Sequence, residues 1–593
     1  MKNTVELIYN GIKQNLSVLS ILIVVTIYLF VAKNEYCNSE KKINVITWDG
    51  YGYYVYLPAI FIYKDIKEYK FVETHLKKYH FSDALYQIRT KDGITFPIYN
   101  IGLSVLWLPF FLIAHAFCKL SDYYTADGMS APYQIAIIFA SFFYLILGLS
   151  YLRRFLLLYI NEAKTAIVII AITLGTNYFY YFNFGKELTH IYLFSLYAVY
   201  LYYIKQYFSG FKRKSLILFS IVAGLMILIR TSEIIAFILP LVYKINTNRF
   251  DEKIKIKNKV LFYLIFFSSV VFLIQILYYK TGTGRFYIDG YYDHHFNFSH
   301  PNIVKFFFSY ERGFFVYTPI MLIAVLGIYY MRYKHQDWMF AVLLFFIFNF
   351  YILCSWDDWK YGSTFGSRPV VQMYAILALP LGIVITFFWK KKLSWIISII
   401  ILLAIFLNLF QTYQFNKGII PSFGSNKTYY WHSFFACKVN VHDKVLLELD
   451  QKYTLKNQQH YTVFNLENER HIYNKKHPEY LEYYDFFNYN IDAKEVNLYS
   501  DKWLEYKLTH SYYGDSYSEW NSINLITEID NNDKVIYWSR VRLPYIIDKK
   551  DRDSITFFQK LPKFSSPSVI KVYITNNCDD SSIIHNLKVY RLK

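Results

Sequence analysis

The chain has 593 residues, 55% hydrophobic, 21% aromatic and only 18% charged, and its apolar residues fall in repeated runs of membrane-spanning length. That pattern excludes a soluble globular fold. The formal net charge of +19 does not indicate nucleic-acid binding either, because many of the basic residues sit in short segments between apolar runs rather than along one stripe.

The first apolar run, Ser17 to Ala32, stands where a signal peptide would, but Lys33-Asn34-Glu35 follows it in place of small cleavage-site residues. A retained first helix is expected, with a cytoplasmic N-terminus and an external loop over 34–100. That loop carries Thr47-Trp48-Asp49-Gly50-Tyr51-Gly52-Tyr53-Tyr54, an ionisable group at a water–lipid boundary with aromatic walls. An interfacial aromatic belt with an incidental aspartate is the competing reading.

Further apolar runs lie near 101–120, 132–152, 164–182, 189–205, 215–230, 232–243, 258–279, 313–331, 338–355, 370–389 and 394–411. The positive-inside rule places Arg153-Arg154, Lys212-Arg213-Lys214, Lys244 to Lys259, Arg332 with Lys334, and Lys390-Lys391-Lys392 in the cytoplasm. Asn183 to Thr189, Thr231-Ser232-Glu233, Lys280 to Arg312 and Trp356 to Arg368 are then external. Parity requires that one run fail to cross. The run 101–120, with Pro109 and His115 and no basic cluster at either end, is expected to be re-entrant or surface-lying, with 232–243 as the alternative. About eleven crossings remain.

The external helix ends carry the groups that could do chemistry. Arg230, Arg312 and Arg368 are suited to a phosphate, because the planar guanidinium matches its oxygens; snorkelling to the headgroup level accounts equally for one or two of them. Lys186, Glu187 and His190 open the fifth run, where Glu187 suits an acceptor or a metal and His190 a sugar hydroxyl, although helix starts favour acids anyway. Trp356 and Trp359 flank Asp357 and Asp358, combining stacking faces with carboxylates as carbohydrate sites do.

The five cysteines, at 37, 118, 354, 437 and 578, have no metal spacing; a Cys437–Cys578 pair outside the cytoplasm is the alternative to the free thiols that are expected. After Gln411 the composition turns to Asn, Asp, Lys, Tyr and Ser with short alternating segments such as Val535-Ile536-Tyr537-Trp538 and Val569 to Ile574, separated by turn signals. A helical module over 1–411 followed by an external β-sandwich domain over 420–593 is expected.

The segments Asp49 to Tyr54, Phe96-Pro97-Ile98-Tyr99-Asn100-Ile101-Gly102, Leu106 to Phe111, Gly224 to Arg230, Tyr310 to Phe315 with Thr318-Pro319, and Ser355 to Trp359 leading to Phe365-Gly366-Ser367-Arg368 resemble, in this order, bacterial integral-membrane glycosyltransferases of the GT-C superfamily. The resemblance covers roughly 15–410. It implies a hexosyl- or pentosyltransferase of the bacterial inner membrane that moves a sugar from a polyprenyl-phosphate carrier to a glycan, lipid or protein acceptor on the external face. It also implies inversion, with Asp49 as base, Arg230, Arg312 and Arg368 on the donor phosphate, and Tyr51, Tyr53, Lys186, Glu187, His190, Trp356, Asp357, Asp358 and Trp359 around the substrates. Relatives often carry a second acid and a divalent metal, whereas this chain reads Trp48-Asp49-Gly50, which leaves the metal open.

Two other classes remain at this point. A transporter or flippase of lipid-linked glycans would need the same external arginines and rings, but should show repeated halves, and none are evident. A membrane-anchored assembly or binding protein should show few ionisable groups at its external helix ends.

Overall fold

The structure, a computed structural model, describes residues 15–36, 43–79, 87–243, 250–449, 460–466, 469–472, 487–493, 503–514, 522–531, 534–546, 552–564, 568–576 and 581–592. Cys37, Cys578 and residues 244–249 of the basic segment lie outside them. The chain divides into two units, Met1–Thr412 and Tyr413–Lys593.

The first unit is a helical bundle. Among the described residues, seven helices are long and apolar enough to cross a membrane, because only intrasegment hydrogen bonding satisfies a backbone in lipid. They are α1 (Leu16–Tyr36), α4 (Gly102–Leu120), α5 (Ala131–Leu156), α11 (Phe250–Thr283), α13 (Gln336–Ser355), the segment Arg368–Lys390 ending in α14 (Tyr374–Lys390), and α15 (Ser394–Asn416). An eighth span is broken: α6 (Glu162–Leu174) and α7 (Tyr178–Phe184) meet at 66°. Gly175 ends α6, and the Thr176 hydroxyl captures the Ile172 carbonyl at 2.6 Å, so the helical ladder stops there.

Three more helices complete the bundle: α8 (Thr189–Gly210), α9 (Arg213–Ile229) and α12 (Ile320–Tyr330). The 22 residues of α8 include Tyr192, Tyr197, Tyr200, Tyr202, Tyr203 and Tyr207, and nearly every side chain from Thr189 to Leu201 is buried. A helix enclosed by other helices need not be lipophilic around its whole circumference.

Two clusters set the poles of the bundle. At one, Arg153 donates to the Ser17 hydroxyl at 2.6 Å and to Glu162 at 2.6 Å, tying the start of α1 to the end of α5 and the start of α6. At the other, α4 begins against the end of α9, where a Cβ on Gly102 would lie 2.4 Å from the Ile229 nitrogen. It ends against the start of α5, with His115 Nδ1 2.6 Å from the Tyr133 hydroxyl. Those ends of α9 and α5 are the ones remote from Lys212–Lys214 and Arg153-Arg154. The helix α4 is itself long and apolar enough to cross.

The segment before α4 is folded over that pole. It contains α2 (Trp48–Tyr54), α3 (Phe71–Tyr79) and an antiparallel hairpin of β1 (Ile88–Lys91) and β2 (Ile94–Pro97). Asp92 and Gly93 turn the hairpin with φ of 54° and 72°, the conformation a two-residue hairpin loop demands.

The second unit contains two antiparallel sheets. One has the order β5 (Phe487–Asp492), β10 (Val569–Asn576), β7 (Ile523–Asn531), β8 (Lys534–Arg542). The other has the order β3 (His460–Leu466), β11 (Ser581–Leu592), β6 (Trp503–Tyr513), β9 (Asp553–Lys560), with β4 (Arg470–Ile472) also on β11. Alternate residues Leu525, Ile529, Ile570, Val572 and Ile574 of the first share a core with Leu504, Leu508, Leu587 and Val589 of the second. The Tyr506 hydroxyl bonds Thr527 at 2.8 Å between them. This is a β-sandwich.

Candidate active site

Asp49 stands in the first turn of α2, immediately after Trp48, whose φ of 46° is a left-handed conformation a bulky side chain rarely adopts. Its two oxygens have separate partners. The Tyr99 hydroxyl donates to Oδ1 at 2.7 Å, and the Arg368 guanidinium donates to Oδ2 at 2.7 Å. The two side chains of the ion pair retain 14% and 20% of their exposure, so the pair is recessed but still open to a ligand.

The glycines flanking Tyr51 let α2 approach its neighbours. A Cβ on Gly50 would lie 2.4 Å from Glu187 Cγ, and one on Gly52 would lie 2.7 Å from the Tyr99 ring. Tyr53 stacks on Tyr99 with centroids 4.3 Å apart. Tyr51 is buried on the other side of α2, its hydroxyl 3.2 Å from His75 Nδ1, and packs the loop rather than lining the site.

Arg230 caps the end of α9, its backbone N–H bonded to Met226. It shares an electrostatic neighbourhood with Arg368, Tyr53, His190, Tyr291 and Tyr361. Arg312 is buried and sits at one remove, facing Tyr180 and Tyr181; Tyr181 in turn faces Arg368.

Glu187 and Lys186 point in different directions. Burial pushes the Glu187 carboxyl up to about 7, with neighbouring Lys186 opposing the rise and Asp49 adding to it. Lys186 turns toward α1: its ammonium lies 4.8 Å from the Tyr36 ring and 5.4 Å from Tyr28, and donates to the Asn183 carbonyl. Burial lowers its pKa to about 8. His190 is buried, with Nδ1 3.1 Å from the Gln372 carboxamide oxygen.

The Trp356–Trp359 segment forms a rim. Asp357 is committed to the loop that precedes it in sequence, meeting His294 Nδ1 at 3.0 Å and accepting the His295 N–H at 2.9 Å. Trp356 packs on Tyr291, His294 and Phe296, and Tyr291 reaches the Tyr99 ring at 6.0 Å. The Asp358 carbonyl accepts the N–H of Tyr361, whose ring faces Arg230 and Arg368, and Trp359 lies beside Lys360. Lys360 pairs with Glu311 at 3.0 Å.

Of the residues singled out from the sequence, Asp49, Tyr53, Glu187, His190, Arg230 and Arg368 come together. Arg312, Asp357, Asp358, Trp356 and Trp359 surround them, while Tyr51 and Lys186 face elsewhere. The sequence reading missed Tyr99, Glu233, Gln372, Tyr291 and Tyr361. Glu233 carried a usable signal, because an acid at the start of an apolar helix is a functional candidate by default.

A divalent ion would need several oxygen or imidazole ligands converging on Asp49. Both Asp49 oxygens are engaged by Tyr99 and Arg368, and no group of three or more His, Cys, Asp or Glu side chains among the described residues is arranged to hold an ion. The residues present do not fit a metal in this arrangement.

The fold defines a multi-pass membrane protein that also carries a β-sandwich. No protein-family model and no curated protein sequence matches the chain. Its structure is similar to the archaeal oligosaccharyltransferase AglB from Archaeoglobus fulgidus in complex with an inhibitory peptide and a dolichol-phosphate, with a TM-score of 0.44 and 13% identity over 71% of this chain and 58% of that one. It is also similar to the Archaeoglobus fulgidus oligosaccharyltransferase in complex with Zn and sulfate, with a TM-score of 0.43 and 14% identity over 70% of this chain and 54% of that one. The chain thus spans a little over half the length of these proteins.

Proposed function

We propose that this protein is a membrane glycosyltransferase of GT-C type, taking a sugar from a polyprenyl-phosphate carrier and passing it with inversion to an acceptor hydroxyl or amide. The observation that carries the reading is the Asp49–Arg368 pair at an aromatic-walled pole of the helical bundle. Asp49 is the base, Arg368 and Arg230 take the donor phosphate, and Arg312 supports them from behind Tyr181.

In the reaction the acceptor oxygen or nitrogen bonds to the anomeric carbon, and its proton passes to Asp49. The bond from that carbon to the phosphate oxygen breaks, and the electron pair leaves with the phosphate. A phosphate is stable enough to depart without a general acid, provided cations receive its charge. Arg368 serves both ends of this exchange. In the resting pair its guanidinium is bonded to the Asp49 carboxylate; a phosphate oxygen competing for the guanidinium loosens the pair and frees the carboxylate oxygen to take the acceptor proton. Tyr53, Tyr291, Trp356 and Trp359 supply ring faces for the sugar. The sandwich and this pole lie outside the cytoplasm in this reading, and the membrane is the bacterial inner membrane.

The test is a transfer assay on membranes carrying the chain, with a panel of undecaprenyl-phosphate hexoses and pentoses. Asp49→Asn keeps size and most hydrogen bonding but removes the basicity, so turnover should fall by about 10²–10⁴-fold while donor binding survives. Near-normal transfer by Asp49→Asn would remove Asp49 as base, and donor movement across the membrane without transfer would favour a transporter.

A further inference from the structure

Behind His190 lies a buried polar chain to which the proposed reaction assigns no part. Glu233, in the turn after Arg230, is 4% exposed, Gln372 is 3% exposed and His190 is 3% exposed. The Tyr197 hydroxyl donates to Glu233 Oε2 at 2.5 Å, and the Gln372 Nε2 amide donates to Glu233 Oε1 at 3.1 Å. Gln372 Oε1 lies 3.1 Å from His190 Nδ1. The chain therefore runs from the turn after α9, through the 3₁₀ segment Arg368–Met373 that also carries Arg368, to the first turn of α8.

The direction of each bond follows from what each group can do. Burial raises the Glu233 carboxyl, while the Arg230 charge and the bonds from Tyr197 and Gln372 oppose the rise and favour the carboxylate. A carboxylate only accepts, so Gln372 turns its NH₂ toward Glu233 and its carbonyl toward His190. A carbonyl also only accepts, so His190 must carry its proton on Nδ1. In the neutral ring this leaves the Nε2 lone pair unprotonated. His190 shares the electrostatic neighbourhood of Arg230, Arg368 and Asp49, and its ring meets Tyr181 edge-on with centroids 5.3 Å apart. An acceptor nitrogen there recognises an O–H.

We infer that Glu233 and Gln372 are positioning residues that hold His190 in its Nδ1–H tautomer, so that Nε2 accepts a hydrogen bond from a hydroxyl of the bound sugar. The sugar half of this inference rests on the glycosyl-transfer reading; the tautomer half does not. The carboxylate is what makes the chain one-way. A glutamine at 233 would keep the packing and both contacts, but an amide can donate or accept, so Gln372 could turn over and His190 could take either tautomer.

The test uses the full chain labelled with ¹⁵N-histidine and reconstituted in lipid nanodiscs. Subtracting the spectrum of His190→Asn isolates the two nitrogens of His190. The wild type should show Nδ1 protonated and Nε2 bare. Glu233→Gln should split His190 between tautomers, and Gln372→Leu should move it to the Nε2–H form that free histidine favours. A wild-type Nε2–H signal, or a tautomer unchanged in both variants, would overturn the positioning role. A purely structural chain would leave the tautomer ratio unmoved while lowering thermal stability. Undecaprenyl phosphate carrying glucose, mannose or N-acetylglucosamine should then shift Nε2, and undecaprenyl phosphate alone should not. No shift with any of the three would overturn the sugar contact. These readouts need no turnover, so their failure is distinct from that of the transfer reading, which the Asp49→Asn assay decides.

Discussion

Arg368 donates to Asp49 at 2.7 Å across 319 residues of sequence, joining the first loop of the chain to the entry of its penultimate long helix. The pair has the two opposite charges that transfer to a hydroxyl needs, one to receive a proton and one to receive a phosphate. They should therefore separate in kinetics. Arg368→Ala removes a charge-assisted contact felt when the donor binds, so the donor KM should rise about 10–100-fold, with Arg368→Lys intermediate. Asp49→Asn should lower kcat with little change in KM. Measuring both constants for the three variants decides it: an Arg368→Ala enzyme with wild-type donor KM would remove Arg368 from the phosphate.

The glycines of α2 give a second test, because they act through contact distance alone. A Cβ at position 52 would lie 2.7 Å from the Tyr99 ring and 2.8 Å from Gln87, closer than atoms can sit. Gly52→Ala should push Tyr99 off Asp49 and lower transfer about tenfold, the cost of roughly one hydrogen bond to a charged group. Tyr99→Phe should have the same effect with no steric change. Should Gly52→Ala be impaired while Tyr99→Phe is fully active, the loss comes from packing and not from the Tyr99 bond.

Residue types were legible in the sequence where lipid makes them expensive, and their pairing was not. Asp49, Arg230 and Arg368 stand out because an ionisable group at a helix end needs a reason, but nothing local tells Asp49 that its partner is 319 residues away. Lys186 shows the limit. It sits beside Glu187 in sequence, yet the chain turn at Gly185 sends it toward Tyr28 and Tyr36, where its charge is held by ring faces. Gln372 offered no signal, since a lone glutamine in an apolar run has no motif. The bend at Gly175–Asn177 was also hidden, because hydropathy runs straight through it from α6 to α7. The sandwich was more legible, since strand alternation leaves a period of two that survives without knowledge of partners.

The sidedness of the bundle is open to direct measurement. The clusters Arg153-Arg154 and Lys212–Lys214 lie at the pole opposite Asp49, and from them the positive-inside rule predicts a site facing away from the cytoplasm. In a chain whose five cysteines are replaced by serine, Lys212→Cys should resist a membrane-impermeant maleimide on intact cells, and Lys534→Cys should react. Both positions are solvent-exposed, so silence cannot come from burial. Labelling at 212 and not at 534 would invert the arrangement and place the site in the cytoplasm.

The sandwich carries a built-in acid sensitivity at His510. The side chain is fully buried in β6, and neither ring nitrogen has a hydrogen-bond partner among the described residues. Burial, reinforced by the neighbouring His585 charge, lowers its pKa from 6.5 to about 3. A depressed base binds fewer protons in the folded state than in the unfolded one. Its contribution is therefore fully present above about pH 6.5 and is lost as the pH falls toward 3. The whole effect is on the order of 5 kcal/mol, enough to open a marginal domain. Hydrogen exchange of residues 503–513 in the full chain, corrected for intrinsic rates, should accelerate between pH 7.5 and 5. His510→Leu should flatten that dependence, since an apolar side chain has no proton to gain. Equal pH slopes in the two proteins would mean that His510 already finds a proton acceptor in the folded sandwich, and that its burial is not what makes the unit acid-labile.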